Sequence, residues 1–284
     1  MSSQPWMALG HVAPEALVDA RLALHYAAQP LASAAYARLP MQDDHAHTNL
    51  LWDAELQAFR GRPLPGGATL LLDPAGLALR AESPSGAELG STALEGRTLE
   101  EAFRDVEGLL EVAGEAVPAG SLELPGYDLP GAPVARGGVF AAEPAAREEL
   151  ARWFHDAAGV LATVASELPG TPEVRGWPHH FDLAALVTLD AGTDPEAARS
   201  VGLGFSPGDG SYPEPYVYVS PWPYPAVEAL PALSAGAHWH TEGFTAAVLP
   251  AEALVSAGGA EDQQRTVLEF LRGASSASLD LLRS

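Results

Sequence analysis

Two runs of short, turn-punctuated strand segments, each bracketed by helices, limit what this chain can fold into. Strands grouped between helices, and not alternating with them one by one, favour mostly antiparallel sheets with helices on one face, an α+β architecture. Before the first run, Pro14 suits a first helical turn, and Leu17, Leu24 and Leu31 recur every seven residues on one helical face. Pro30 falls inside that period and predicts a break near Gln29; Leu39-Pro40 ends the segment. His45-Ala46-His47 then leads into an expected strand in which Leu50, Trp52, Ala54 and Leu56 alternate with their neighbours. A loop at 61–67 precedes a hairpin, Thr69 to Leu72 and Leu77 to Ala81, around Asp73-Pro74-Ala75-Gly76. A further strand, Glu88 to Leu94, leads to a helix whose Leu99, Phe103, Val106 and Leu110 share a face. Thr98 followed by Glu101 is a capping box for it.

Residues 118–140 are rich in Gly and Pro and carry no helical period, so they read as a connection. A long helix follows from Pro144, with Leu150, Trp153, Phe154, Ala157, Leu161, Val164 and Leu168 on its buried face and Pro169-Gly170 as its stop. The second strand run comprises Phe181 to Leu189, Val201 to Phe205, Tyr216 to Ser220 (broken by Pro221 to Pro225), Ala237 to Thr241 and Thr245 to Leu249. A last helix spans Glu261 to Leu271. The expected organisation is an α+β half at 1–117, a connection at 118–142 and a second α+β half at 143–284, the halves packing as one compact unit. Their shared order of helix, histidine-led strand, sheet and helix fits either an internal duplication or the ordinary grammar of α+β folds.

Composition excludes more than it assigns. The chain has 284 residues, 47% of them hydrophobic, enough for a substantial core. Its formal net charge of −22 argues against nucleic acid and anionic membrane as partners. All 15 basic residues are arginine, so lysine-dependent phosphate binding and Schiff-base chemistry are ruled out. The absence of cysteine removes thiolate nucleophiles, cysteine zinc sites and disulfides. No basic, apolar leader opens the sequence and no apolar run is long enough to span a bilayer, so a cytoplasmic protein, monomeric or homodimeric, is the expectation.

The richest stretch runs from Trp177 to Phe244. It holds 10 of the chain's 21 aromatic residues and four of its nine histidines. Aromatics with convergent polar groups are the material of small-molecule pockets. A cleft lined by Trp177, His180, Asp182, Tyr216, Tyr218, His238, His240 and Glu242 is therefore expected, with acid–base work by His and a carboxylate as its non-metal chemistry. In a strand, residues two apart share a face, so His180 and Asp182 with a distal His240 also outline a 2-His-1-carboxylate set for a divalent metal. Against this stand the commoner fates of such residues: histidines bonded to backbone, and aromatics in a core or in a subunit interface along Tyr212 to Tyr224. Gly204-Phe205-Ser206-Pro207-Gly208 matches the nucleophile-elbow pattern, but Pro207 has no N–H for an oxyanion, so a turn is expected. Asp182, at the mouth of the apolar run Leu183 to Leu189, is expected to be buried and partnered by His180, Arg175 or backbone N–H groups. Its strand is expected to be central and covered on both faces.

These motifs resemble the bacterial protein family DUF5996. The resemblance is carried by Trp177-Pro178 with Phe181-Asp182, by Gly204 to Gly208, by Pro215-Tyr216-Val217-Tyr218, and by Glu242-Gly243-Phe244 before Leu249-Pro250. In the first half it is carried by His47 and by Pro63-Leu64-Pro65 with Gly67. It spans nearly the whole chain and implies one soluble architecture. The family has no established activity to carry over, so the reaction, if any, stays open.

Overall fold

The computed structural model describes residues 5–170, 172–190, 192, 197–234 and 236–283. Helices and two antiparallel sheets make it an α+β protein. The chain divides into two compact units. One comprises residues 15–151 and 175–181, here the first unit; the other comprises 1–14, 152–174 and 182–284, the second unit. The Pro/Gly-rich segment 118–142 lies wholly within the first unit.

In the first unit, α1 (Val18–Ala27) and α2 (Gln29–Arg38) are separated where Pro30 predicted a break. The break stays inside the core: Leu17, Leu24, Ala27, Ala28 and Leu31 are all buried. Five strands follow: β1 (Leu51–Asp53), β2 (Ala58–Arg60), β3 (Thr69–Asp73), β4 (Ala78–Glu82) and β5 (Glu88–Ala93). They form a plain meander in the order β1-β2-β3-β4-β5. The strand expected through Leu56 is therefore a hairpin. Asp53 Oδ1 accepts the N–H groups of Glu55 and Leu56, and Gln57 turns with a φ of 49°. A side-chain-capped turn outcompetes an apolar alternation that has nothing to pack on, and Leu56 is exposed.

Next comes α3 (Leu99–Val112), opened by the capping box: Glu101 Oε2 accepts from Thr98 N at 2.8 Å, and Thr98 Oγ1 accepts from Glu101 N at 3.2 Å. Phe103, Val106 and Leu110 are buried, and α3 packs on β4 and β5. The long helix α4 (Pro144–Glu167) begins in this unit, and β6 (Arg175–Trp177) returns to it, Gly176 bridging to Leu50.

The second unit holds β7 (Asp182–Thr188), β8 (Ser200–Ser206), β9 (Tyr216–Trp222), β10 (His238–His240) and β11 (Ala246–Pro250), in the spatial order β10-β11-β9-β8-β7. This sheet is not a meander, because β11 lies between β9 and β10. The sheets of the two units thus share element types but not strand order. A short α5 (Ala251–Val255) precedes α6 (Ala260–Arg283), which packs on β8, β9 and β11.

Three expectations are corrected here. β7 is not covered on both faces: Leu183, Ala185 and Val187 are buried, whereas Leu186 is 57% exposed. On the buried face, Trp153 and Phe154 of α4 meet Phe205 at ring separations of 5.8 and 5.2 Å. Nor does Pro221 end β9. Pairing with β11 stops at Val219, while pairing with β8 runs on to Trp222. A residue without an N–H is tolerated where only one neighbouring strand remains. Finally, α6 continues twelve residues past Leu271. Its Ser275 and Ser278 are buried, small enough for the helix to lie close to its neighbours.

Candidate functional site

The first unit contains a cleft of about 600 Å³. One wall is α2, through Ser33, Tyr36 and Ala37; the opposite wall is the segment Ser121 to Tyr127; His45 and His179 complete it. Each part is held in position by specific hydrogen bonds. The 121–127 wall has no secondary structure of its own. Glu107 holds it by accepting Gly120 N and Leu122 N at 2.9 and 3.2 Å, and Ser33 Oγ accepts Glu123 N at 3.2 Å. Tyr26 adds a bond from its hydroxyl to Pro130 O at 2.8 Å.

His179 is placed by the buried break between α1 and α2. Gln29 Nε2 donates to His25 O at 2.8 Å and to Pro178 O at 2.9 Å; Tyr127 Oη donates to Gln29 Oε1 at 2.6 Å. His25 Nε2 meets the same Pro178 carbonyl at 3.0 Å. A carbonyl only accepts, so His25 carries its proton on Nε2. Below it, Phe181 takes a φ of 57° and stacks on His25 at 5.5 Å. One glutamine and one histidine thus fix the 177–181 turn, and with it the His179 ring. That ring stands edge-on to Tyr127 and to Trp177, each at 5.8 Å, and 4.3 Å from His180.

Burial pushes His25 and His179 down to about 4, so both imidazoles are neutral at pH 7. Burial raises Tyr127 above the usual phenol range. On the other side, Tyr36 Oη lies 3.3 Å from His45 Nδ1, and the Tyr36 ring stands edge-on to His47 at 5.0 Å. His47 is 2% exposed; its Nδ1 accepts Gln42 N at 3.2 Å, which puts the proton on Nε2. His45 itself has a φ of 55°, a left-handed conformation in a turn closed by Thr48 N and Oγ1 on its carbonyl.

None of the eight residues expected to line a cleft lines this one. Trp177 and His180 belong to the first unit, next to His179. The other six lie in the second unit, where the structure gathers Asp182, Tyr216, Tyr218, His238 and His240 on the sheet face away from α4 and α6 and leaves Glu242 in an exposed bend after β10. Strand register explains the gathering: Tyr218 sits opposite both Val248 and Gly204, Tyr216 opposite Ser206, and His238 opposite Val248. Tyr216 packs with Ala246 and Val248, and Tyr212, Tyr218 and Phe244 pack around them. Asp182 is 8% exposed and accepts Tyr218 Oη at 2.6 Å, a partner its sequence neighbourhood did not suggest. Burial and this carboxylate raise the Tyr218 hydroxyl well above the phenol range. The contact crosses Gly204, where a Cβ would come within 2.5 Å of the Tyr218 hydroxyl. The glycine of the apparent nucleophile elbow therefore makes room for a tyrosine. Ser206 Oγ accepts Gly208 N at 3.1 Å in an ordinary turn.

The two histidines of β10 join through Tyr212, a residue with no site signal of its own in the sequence. His240 Nε2 lies 2.7 Å from Glu242 O and must donate there, so its Nδ1 accepts from Tyr212 Oη at 3.0 Å. Tyr212 then accepts from His238 Nε2 at 2.9 Å. The Glu242 carboxylate has no part in these bonds; its backbone carbonyl does. Of the run Tyr212 to Tyr224, Tyr216 is core, while Trp222 and Tyr224 are exposed and edge-on to each other at 5.0 Å. Among the described residues no three His, Cys, Asp or Glu side chains are grouped so as to hold a metal ion, so His180, Asp182 and His240 do not form the outlined ligand set.

Replacing Asp182 separates the parts of its role. Asp182→Ala is expected to destabilise by about 2 kcal/mol, because the Tyr218 hydroxyl loses its acceptor. Asp182→Asn keeps an acceptor oxygen and is expected to lose less than half of that. Denaturant unfolding of both variants, with Tyr218→Phe as the reciprocal change, reads this directly. Equal losses in Ala and Asn would show that the charge, and not the acceptor, is what the fold uses.

The cleft residues that sequence reasoning missed were legible only in part. His45 and His47 stand out as a pair, and His179 adjoins a chosen residue. Ser33, Tyr36, Glu123 and Tyr127 carry no local signal, because a helix face and a Pro/Gly segment become a site only when they face one another. No family model matches this chain, and comparisons with curated proteins and with solved structures give no match. Among the described residues, no helix is long and apolar enough to cross a membrane.

Proposed function

We propose that this protein binds a small molecule in the first-unit cleft. The observation behind this reading is a cavity of about 600 Å³ walled by Tyr36, Tyr127, His45 and His179. Pockets of a few hundred to a thousand Å³, mostly apolar and with a few fixed polar groups, suit metabolites and cofactors. Rigidity favours the reading. Tyr127 and His179 are tied through Gln29 and Pro178 to a buried helix break, so little ordering remains to be done on binding. The neutral His179 imidazole offers a bound molecule a hydrogen-bonding ring; its pKa near 4 makes it a weak base, which favours binding over acid–base chemistry.

A thermal-shift screen of metabolites tests it, since a ligand that binds only the folded state raises Tm. At a hundredfold excess over Kd the stabilisation is about 2.7 kcal/mol. Ala37, an exposed lining residue, offers the control. Ala37→Trp should fill the cleft, leave the fold intact and abolish the shift. Hits whose shifts survive in Ala37→Trp would move the binding site elsewhere.

A further inference from the structure

The charge of the cleft narrows what it can hold. Its lining contains one carboxylate, Glu123, and no arginine; the chain has no lysine at all. The arginine nearest in sequence to the lining, Arg38, follows Ala37 but is committed elsewhere. Its Nη2 and Nε bond Glu115 Oε2 at 2.5 and 3.1 Å, and the Glu115 side chain is 1% exposed. The imidazole of His179 is neutral at pH 7 because of its burial. An anionic ligand would thus give up its hydration with no arginine or lysine in the lining to receive it. A cation meets the opposite situation. Two tyrosine rings line the cavity, and aromatic faces attract ammonium groups. Glu123 supplies an anion, and the net charge of −22 raises the local concentration of cations at the surface.

We infer that the cleft takes small organic cations: amines or quaternary ammonium compounds with an apolar or aromatic body, the body against Tyr36 and Tyr127 and the charge towards Glu123. This assignment rests on the small-molecule reading of the same cleft.

Three probes of nearly equal shape test it on the full chain: tyramine (cationic), tyrosol (neutral) and 4-hydroxyphenylacetate (anionic), titrated by calorimetry at pH 7 and low salt. Tyramine is expected to bind about three- to tenfold more tightly than tyrosol, the size of an exposed ion pair joined to a cation–π contact. The anion should bind most weakly. Glu123→Gln should remove most of the tyramine advantage and leave tyrosol unchanged. Ala37→Trp should abolish both, which separates cleft binding from diffuse attraction to an acidic surface. The assignment is overturned if 4-hydroxyphenylacetate binds as well as tyramine, if Glu123→Gln leaves the ranking intact, or if none of the three binds. The small-molecule reading fails separately, only if no compound in the metabolite screen gives a shift that Ala37→Trp removes.

Discussion

Acidification from pH 7 to pH 4 is expected to cost this protein about 3 kcal/mol of stability through His25 alone. His25 is 5% exposed, and burial lowers its pKa from 6.5 to about 4, against the opposing hydrogen bond to Pro178 O. The unfolded chain takes up a proton at His25 near pH 6.5; the folded chain refuses it until about 4. The stabilisation is therefore complete above pH 6.5 and is lost as the pH falls from 6.5 through 4. His179, held down by burial in the same way, adds in the same direction. His25→Gln keeps a donor for the Pro178 carbonyl and removes the titration. Urea unfolding at pH 7, 5 and 4 should show the wild type losing about 3 kcal/mol more than His25→Gln over that range. Acid losses from carboxylates are common to both proteins and cancel in the difference. Parallel curves would mean that the fold does not exclude the His25 proton. In the folded chain His179 stays neutral down to about pH 4, so ligand binding in the cleft should hold across this window while stability falls.

The second large effect is expected at Glu115. This carboxylate is almost fully buried, bonds Arg38 through two nitrogens, and accepts the N–H of Gly66. Glu115→Ala leaves an N–H without its acceptor and a guanidinium without its partner. Breaking a buried pair from one side costs about 3–5 kcal/mol. Arg38 keeps 30% of its side chain in water and can turn outwards, which places the expected loss near 3 kcal/mol. Glu115→Gln retains an acceptor for Gly66 and should lose about half as much. Chemical denaturation measures both. The released Arg38 also puts an unpaired positive charge one residue from Ala37, so tyramine affinity should fall in Glu115→Ala while tyrosol affinity holds. A variant that loses stability without this change in ranking would show that Arg38 turns fully away from the cleft.

Local patterns in the sequence determined the elements whose causes are local. The break at Gln29, the capping box of α3, the 73–76 hairpin turn and the helix from Pro144 each follow from residues within one or two turns of one another, and each is found where those residues place it. Where a distant partner decides, the sequence alone misled. One local signal was also outweighed by another: Leu50 to Leu56 alternates like one strand, yet Asp53 turns the chain through the N–H groups of Glu55 and Leu56. The apolar run of β7 reads as covered on both sides, yet Leu186 is exposed while Leu183, Ala185 and Val187 are buried. Strand register brought Asp182, Tyr216, Tyr218, His238 and His240 to one sheet face as their spacing allowed, but only the cross-strand pairing chose Tyr218 as the partner of Asp182 and Tyr212 as the link between the histidines. The cleft is the clearest case. Composition fixed its charge, because a chain without lysine and with few arginines had little positive charge to spend there. Its existence was decided by tertiary structure alone: Gln29, buried at a helix break, bonds Tyr127 from ninety-eight residues away and the carbonyl of Pro178 from one hundred and forty-nine. No periodicity records such a bond, since its cause is the closure of the chain around a buried polar group that must be satisfied.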